Sequence, residues 1–381
     1  MGIYDVTRDI CAITLIERLS MDKDILYPVR VLHGCLHEWR KRLQFVRTNL
    51  LPIGKKCFIL GTPTHSNIGD SAIVLAERQF LKHCLGDEQR IKELTVVEVM
   101  EYKEIVYHCI RYGGRNLVCW PGGGNLGDQW FHEEVIRRQA IEALGKNAMI
   151  LFPQTIYYTP TERGMEEEQR SVLYYNGHPG LTVVAREQKS FEIMQALYPD
   201  TERLLTPDIV LSCKMENFGA VVQERKGVLF CVRSDVEKSV KDSIWEKLVE
   251  EVELLGVAYR KTDMYADVQV TKMNRGECVR QKMQEFCGAE LVITDRLHGM
   301  VFAVLTGTPC IVFSNYNHKV KGTYDWIQYL PYVRYVESVD EAITLIPELI
   351  KMENCKFDNA PLRPYFDQLA EVVREKCPRY Q

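Results

Sequence analysis

Several short stretches of this 381-residue chain concentrate side chains that bind anions or move protons. In Thr294-Asp295-Arg296-Leu297-His298-Gly299 an apolar run ends directly on Asp, Arg and His. A guanidinium offers a planar fork for carboxylate or phosphate, and an imidazole exchanges protons near neutral pH. Together at a strand end they suit holding an anion and protonating it. The stretch Gly61-Thr62-Pro63-Thr64-His65-Ser66-Asn67-Ile68-Gly69-Asp70 sets small and hydroxylated residues before a helix, a place for an anion or a sugar. Asp70 there either caps its helix or faces a ligand. In Pro121-Gly122-Gly123-Gly124-Asn125-Leu126-Gly127-Asp128 three successive glycines let the backbone pass close to a ligand or a facing domain. Arg233, in Arg233-Ser234-Asp235, follows another apolar run. It either joins an anion site or pairs at the surface with Asp235 or Glu237, where an ion pair contributes little. Arg186, in Ala185-Arg186-Glu187, likewise follows a strand and either joins such a site or pairs internally.

Other chemistries lack their residues. The triple glycine is not G-x-G-x-x-G, and no G-x-x-x-x-G-K-[ST] occurs. His132-Glu133-Glu134 lacks the second His of H-E-x-x-H, and Asp22-Lys23-Asp24 has no strand before it. No metal and no organic cofactor is therefore expected. A net charge of −4 with both signs interspersed argues against a nucleic-acid partner. The 13 cysteines form no C-x-x-C pair. Several, including Cys57, Cys119, Cys231 and Cys310, lie in apolar runs, which suits reduced, buried thiols. No apolar run reaches the ~18 residues of a membrane span. Arg8, Asp9, Glu17 and Arg18 interrupt what would be a signal peptide. The expected location is the cytoplasm, with attachment to the cytoplasmic face of a membrane as the alternative.

The elements that must position these residues follow a repeating pattern. Residues 1–50 read as a helical extension, with Tyr27-Pro28 between two helices because the residue before proline is pushed out of the α region. The second of these, from about Val29 to Val46, carries Arg30, Arg40, Lys41, Arg42 and Arg47, a solvated basic face or a membrane-docking one. Residues 51–216 alternate short apolar strands (Cys57–Leu60, Thr95–Val99, Asn116–Trp120, Ala148–Phe152, Thr182–Ala185) with helices starting at Asp70, Tyr102, after Asp128, and at Glu187. A polar stretch, Lys214–Arg225, serves as linker. Residues 217–361 repeat the alternation, with strands Gly227–Val232, Glu290–Thr294 and Pro309–Phe313 and helices Val236–Leu255, through Cys278–Cys287, and Leu297–Leu305. Ser338 and Glu341 form a capping box for another helix. A last helix, Leu362–Lys376, falls in residues 362–381 and is expected to pack back on the first domain. Such alternation implies α/β units with parallel sheets covered on both faces. Ligands of doubly wound sheets bind beyond the carboxyl ends of the strands, where the residues above fall.

His65-Ser66-Asn67-Ile68-Gly69-Asp70, Pro121-Gly122-Gly123-Gly124-Asn125, Ala185-Arg186-Glu187, Thr206-Pro207-Asp208, Arg233-Ser234-Asp235 and Asp295-Arg296-Leu297-His298-Gly299 stand in one order along residues 55–330. In that order the chain resembles the polysaccharide pyruvyl transferases. The resemblance implies two Rossmann-like domains of GT-B type facing across a cleft. It implies phosphoenolpyruvate as donor and a sugar, often galactose or a mannosamine derivative on a lipid- or nucleotide-linked precursor, as acceptor. The product would be a pyruvate ketal, with phosphate released, in exopolysaccharide or capsule synthesis. On this reading Arg233 and Arg296, with Leu297 and His298, bind the donor. His298 is the general acid, oriented or tuned by Asp295. His65, Asn67, Asp70, Gly123, Gly124 and Asn125 hold the sugar, with Asp70 or His65 as base. The competing readings are a GT-B glycosyltransferase using a nucleotide sugar and a saccharide-binding module without turnover.

Overall fold

The apolar runs form two wholly parallel sheets in a computed structural model, which describes residues 27–51, 56–86, 90–113, 116–235, 240–314 and 317–377. The first sheet has the order β2-β1-β3-β5-β6-β7, where β1 is Cys57–Thr62, β2 Ile91–Thr95, β3 Leu117–Trp120, β5 Ala148–Tyr157, β6 Leu181–Ala185 and β7 Glu202–Leu205. A short β4, Gly123–Gly127, continues the line of β3 beside the second half of β5. The second sheet has the order β12-β11-β10-β8-β9, with β8 Val228–Cys231, β9 Tyr259–Thr262, β10 Leu291–Thr294, β11 Cys310–Phe313 and β12 Val333–Val336. Central strands such as β3, β8 and β10 are buried at every residue, as helices on both faces require. This is an α/β fold of two Rossmann-like halves. In each half the strand order reverses next to the first strand, between β1 and β3 and between β8 and β10. Those two switch points are where such sheets open a crevice.

The helices are α1 Tyr27–Phe45, α2 Ile68–Leu85, α3 Val96–Glu101, α4 Lys103–Tyr112, α5 Phe131–Ala143, α6 Glu162–Asn176 and α7 Gln188–Leu197 in and before the first half. The second half carries α8 Asp242–Leu254, α9 Arg275–Cys287, α10 Leu297–Thr306, α11 Lys319–Ile327 and α12 Val339–Leu349, and α13 Arg363–Lys376 closes the chain. The halves share one apolar core. A single cluster runs from Cys57 and Ile59 of β1 through α2 to Leu229 of β8, Val292 of β10 and the buried α10. The 3₁₀ turn Ile209–Ser212 and α13 both pack on α2, and α13 also reaches β5. Polar links reinforce the joint. Buried Arg275 of α9 donates to Glu93 at 2.6 Å and to the Pro63 carbonyl at 3.1 Å.

Several sequence-based boundaries shift for local reasons. The stretch Thr95–Val99 is not a strand. The strand is Ile91–Thr95, whose polar Lys92 and Glu93 hid it. Thr95 instead caps α3 through a capping box with Glu98. The glycine stretch after Trp120 is partly β4 rather than all loop. The edge strands β7, β9 and β12 escaped notice because they read as polar or mixed, which suits an edge. α6 and α11 add two helices beyond those expected, and β5 runs on to Tyr157. Ser338 caps α12 by accepting from the Glu341 N–H, but the Glu341 carboxylate turns to the Glu337 N–H, so the box is incomplete. Residues 1–26, with the first expected helix and Asp22-Lys23-Asp24, and residues 236–239 of the expected Val236–Leu255 helix lie outside the described residues. On α1, Arg40 and Lys41 are exposed while Arg42 pairs with Glu38. Among the described residues, no helix is long and apolar enough to cross a membrane, and the cysteines are all free thiols.

Candidate active site

A cavity of about 250 Å³ opens between the two switch points. The segments after β1 and β3 form one wall. The segments after β8, β9 and β10 form the other. An antiparallel clasp closes one end: the Ile68 N–H donates to the Met264 carbonyl at 2.7 Å, and the Ala266 N–H donates to that of Ser66 at 2.8 Å.

The wall from the second half is cationic. Arg233, next to β8, points Nη1 at Asp235 Oδ1, 3.1 Å away. Arg296, the N-cap of α10, turns its Nε and Nη2 edge onto Asp263 at 2.7 and 2.8 Å. Its Nη1 donates to Asp235 Oδ2 at 2.6 Å, and its guanidinium lies 5.2 Å from the Tyr265 ring centre. The fork expected to meet an anion is thus occupied by Asp263. What Arg296 turns toward Arg233 is Nη1, and the Asp235 carboxylate lies between the two guanidiniums. Burial opposes a charge on Asp263, but the hydrogen bonds and charge of Arg296 prevail and hold its carboxyl below the ordinary range. Lys319 of α11 adds another cation to this wall.

Asp295 does not orient His298. Its Oδ1 accepts the Arg233 N–H at 2.9 Å, so it fixes the backbone that carries Arg233, and burial pushes its carboxyl up. The carboxylate that reaches His298 comes from the other half. Asp208 Oδ2 lies 3.5 Å from His298 Nε2 and 3.1 Å from Arg186 Nη1, and Asp208 Oδ1 accepts the Val210 N–H at 3.0 Å. Burial disfavours the charge on Asp208. His298 and Arg186 outweigh it and hold the carboxyl at about 2. Arg186, 2% exposed, also donates from Nε to Thr155 Oγ1 at 2.7 Å. Its Nη2 faces Gly124, where a side-chain carbon would sit 3.0 Å from it. The His298 ring lies so close to Gly69 that any side chain there would collide with it. The absence of a Cβ on α2 lets the two halves meet at the histidine.

The wall from the first half carries carboxylates. Asn67, not Asp70, caps α2, with Oδ1 accepting the Gly69 N–H at 2.9 Å. Asp70 is the third residue of the helix and lies 3.6 Å from the exposed His65 ring nitrogen Nε2. Glu133, in the first turn of α5, joins them; burial and the Asp70 charge push its carboxyl up against the pull of Arg137. Asn125 lines the cavity, but its amide is held at both ends, donating to Glu133 and accepting from Arg137 Nη2 at 2.6 Å. Gly124 lines the cavity, whereas Gly123 lies behind it near Asp70. The glycine backbone is fixed from below by wholly buried Glu77, which accepts the Gly122 N–H at 2.7 Å and whose carboxyl burial pushes well up.

The structure therefore brings His65, Asn67, Asp70, Gly124, Asn125, Arg233, Arg296, Leu297 and His298 to one cavity and leaves Asp295 behind Arg233. Comparison with known proteins then decides the family. The family description "Polysaccharide pyruvyl transferase" matches residues 67–318. The chain belongs to this family. It is 32% identical over 314 residues to general stress protein 30 of Bacillus subtilis, covering 80% of this chain and 88% of that protein. It is 29% identical to pyruvyl transferase 1 of Schizosaccharomyces pombe, covering 77% and 76% respectively. In fold it is similar to UDP-GlcNAc 2-epimerase of Methanocaldococcus jannaschii, with a TM-score of 0.50, 13% identity, and coverage of 84% of this chain and 100% of that one.

The site of this pyruvyl transferase also brings together residues that single motifs do not single out. Asp208 lies in the ordered motif Thr206-Pro207-Asp208 and Arg186 in Ala185-Arg186-Glu187, where internal pairing is the reading that the structure bears out. Glu133 was noticed only within a failed metal pattern. Their signal is positional, since each lies just beyond a strand of the first sheet: β4, β6 or β7. Met264 and Tyr265 follow β9, whose strand character the sequence conceals.

Proposed function

We propose that this enzyme moves the pyruvyl group of phosphoenolpyruvate onto two hydroxyls of a sugar, with galactose the first candidate, and releases phosphate. The observation that carries this reading is the polarity of the cavity between the halves: Arg233, Arg296 and Lys319 on one wall, Asp70, Glu133 and His65 on the other, and His298 between them. A donor bearing both a carboxylate and a phosphate matches the cationic wall. A sugar's hydroxyls match the carboxylate wall, which can take their protons. His298 gives a proton to the donor's methylene carbon. The C=C electron pair forms the new C–H bond, and C2 becomes electrophilic. One sugar hydroxyl adds to C2 and loses its proton to Asp70, His65 or Glu133. A second hydroxyl displaces phosphate, which leaves with its bridging oxygen and takes up that hydroxyl's proton. The scheme uses neither metal nor organic cofactor.

The test is incubation with phosphoenolpyruvate and a panel of lipid-linked and aryl glycosides, with and without a chelator. Phosphate release matched by a pyruvyl mass gain on the sugar, unchanged by the chelator, is expected. Turnover of sugar nucleotides in place of phosphoenolpyruvate would overturn the reading, as would saccharide binding with no turnover.

A further inference from the structure

We propose that Asp208 is a positioning residue for His298: it holds the imidazole in the tautomer protonated at Nε2, so that Nδ1 is the nitrogen that handles the transferred proton. This rests on the reading of His298 as the acid in the proposed reaction. Asp208 is 1% exposed and accepts two hydrogen bonds, from Val210 and Arg186. The Val210 N–H occupies Oδ1, and Arg186 Nη1 approaches Oδ2 at 3.1 Å. His298 Nε2 is buried and, among the described residues, makes no hydrogen bond; the Asp208 carboxylate, with Oδ2 3.5 Å away, is the charged group that faces it. A carboxylate has no hydrogen to give, so the ring nitrogen facing it must carry one. The other ring nitrogen, Nδ1, lies against Gly69, the residue that precedes Asp70 in α2.

The placement also solves an electrostatic problem. His298 is the second residue of α10, where the positive end of the helix disfavours an imidazolium. Asp208 supplies the compensating charge, and Arg186 keeps that carboxylate ionised and aimed. His298 belongs to the second half, whereas Asp208 follows β7 of the first. The dyad therefore exists only while the two halves stay docked, so the acid is assembled by the joint. In the step itself the Nδ1–H bond breaks, the ring keeps that electron pair and becomes neutral, and the proton joins the methylene carbon as above.

The experiment pairs a spectroscopic readout with a kinetic one. In full-length protein labelled with ¹⁵N-histidine, the His298 resonances are assigned by their loss in His298→Gln. Long-range ¹H–¹⁵N spectra of the neutral ring then report which nitrogen carries hydrogen. The expected result is a protonated Nε2 and a bare Nδ1. In Asp208→Asn the Oδ1 contact to Val210 can persist, so the new NH₂ faces Nε2. The tautomer is expected to invert, and kcat to fall by roughly 10²–10⁴-fold, the usual worth of a positioned acid, with the KM for phosphoenolpyruvate unchanged. A wild-type ring protonated at Nδ1 would overturn the proposal whether or not the variant folds. So would a variant that keeps either the wild-type tautomer or the wild-type kcat. The tautomer is read without substrate, so a failure of the phosphoenolpyruvate reading leaves this measurement standing and is seen separately as absent wild-type turnover.

Discussion

The two walls of the cavity are built on the same scaffold, a strand of a parallel sheet running into a loop and a helix N-terminus, yet they carry opposite chemistry. In the second half the strand ends bear guanidiniums, Arg233 beside β8 and Arg296 beside β10. In the first half the equivalent ends bear small residues, an amide cap at Asn67, and the acids Asp70 and Glu133. The difference lies in what the helix N-terminus is asked to do. Acids in the first turn of α2 and α5 are favoured by the helix dipole and need little support. A cation at the start of α10 is not, and Arg296 there is held by Asp263, while the His298 ring lies 3.5 Å from Asp208. The cationic wall is thus the costlier one to build, and it depends on more residues remote from the cavity.

The sharpest way to break this contrast is at the histidine where the walls meet. His298→Gln keeps a hydrogen-bonding side chain but cannot surrender a proton. It is expected to fold normally and lose roughly 10²–10⁴-fold in kcat. Phosphate release near the wild-type rate would move the acid role elsewhere. Next comes the cationic wall. Arg233→Lys keeps the charge and loses the fork, so the KM for phosphoenolpyruvate should rise by roughly 10–100-fold, the range of a lost charge-assisted hydrogen bond. Arg296→Lys removes the paired bonds to Asp263 as well and should lower the melting temperature more than Arg233→Lys does. Equal melting temperatures, or an unchanged donor KM in Arg233→Lys, would show that the two arginines do not divide the work in this way. The smallest effect is expected on the carboxylate wall, where Asp70, His65 and Glu133 overlap in position. Glu133→Gln should change acceptor kinetics by roughly tenfold or less and leave the donor KM alone. A donor KM that moved as much as the acceptor's would remove the distinction between the walls.

The parts of this arrangement that were legible in the sequence are those written in contiguous residues. Buried central strands announce themselves as unbroken apolar runs, and the site residues at their ends follow immediately, as Arg296 and His298 follow β10. The ordered motifs carried the family and, with it, the GT-B type of fold. What stayed hidden was of two kinds. Edge strands such as β7 and β9 are exposed on one side and read as polar, so the loops that follow them had no visible anchor. Partnerships across the joint have no sequence spacing at all. Nothing in the neighbourhood of His298 says that its carboxylate stands at position 208 rather than 295. The cap of α2 is Asn67 rather than the expected Asp70, because Asn67 is extended and Asp70 is already inside the helix.

Asp235 carries one more consequence. With its two oxygens 3.1 Å from Arg233 and 2.6 Å from Arg296, the pocket between the guanidiniums already holds a negative charge of the protein's own. An incoming anion at that place does not fill a hungry positive hole. It has to compete with Asp235 for the two guanidiniums. An anion binding between Arg233 and Arg296 therefore gains less than it would from two guanidiniums with no carboxylate beside them.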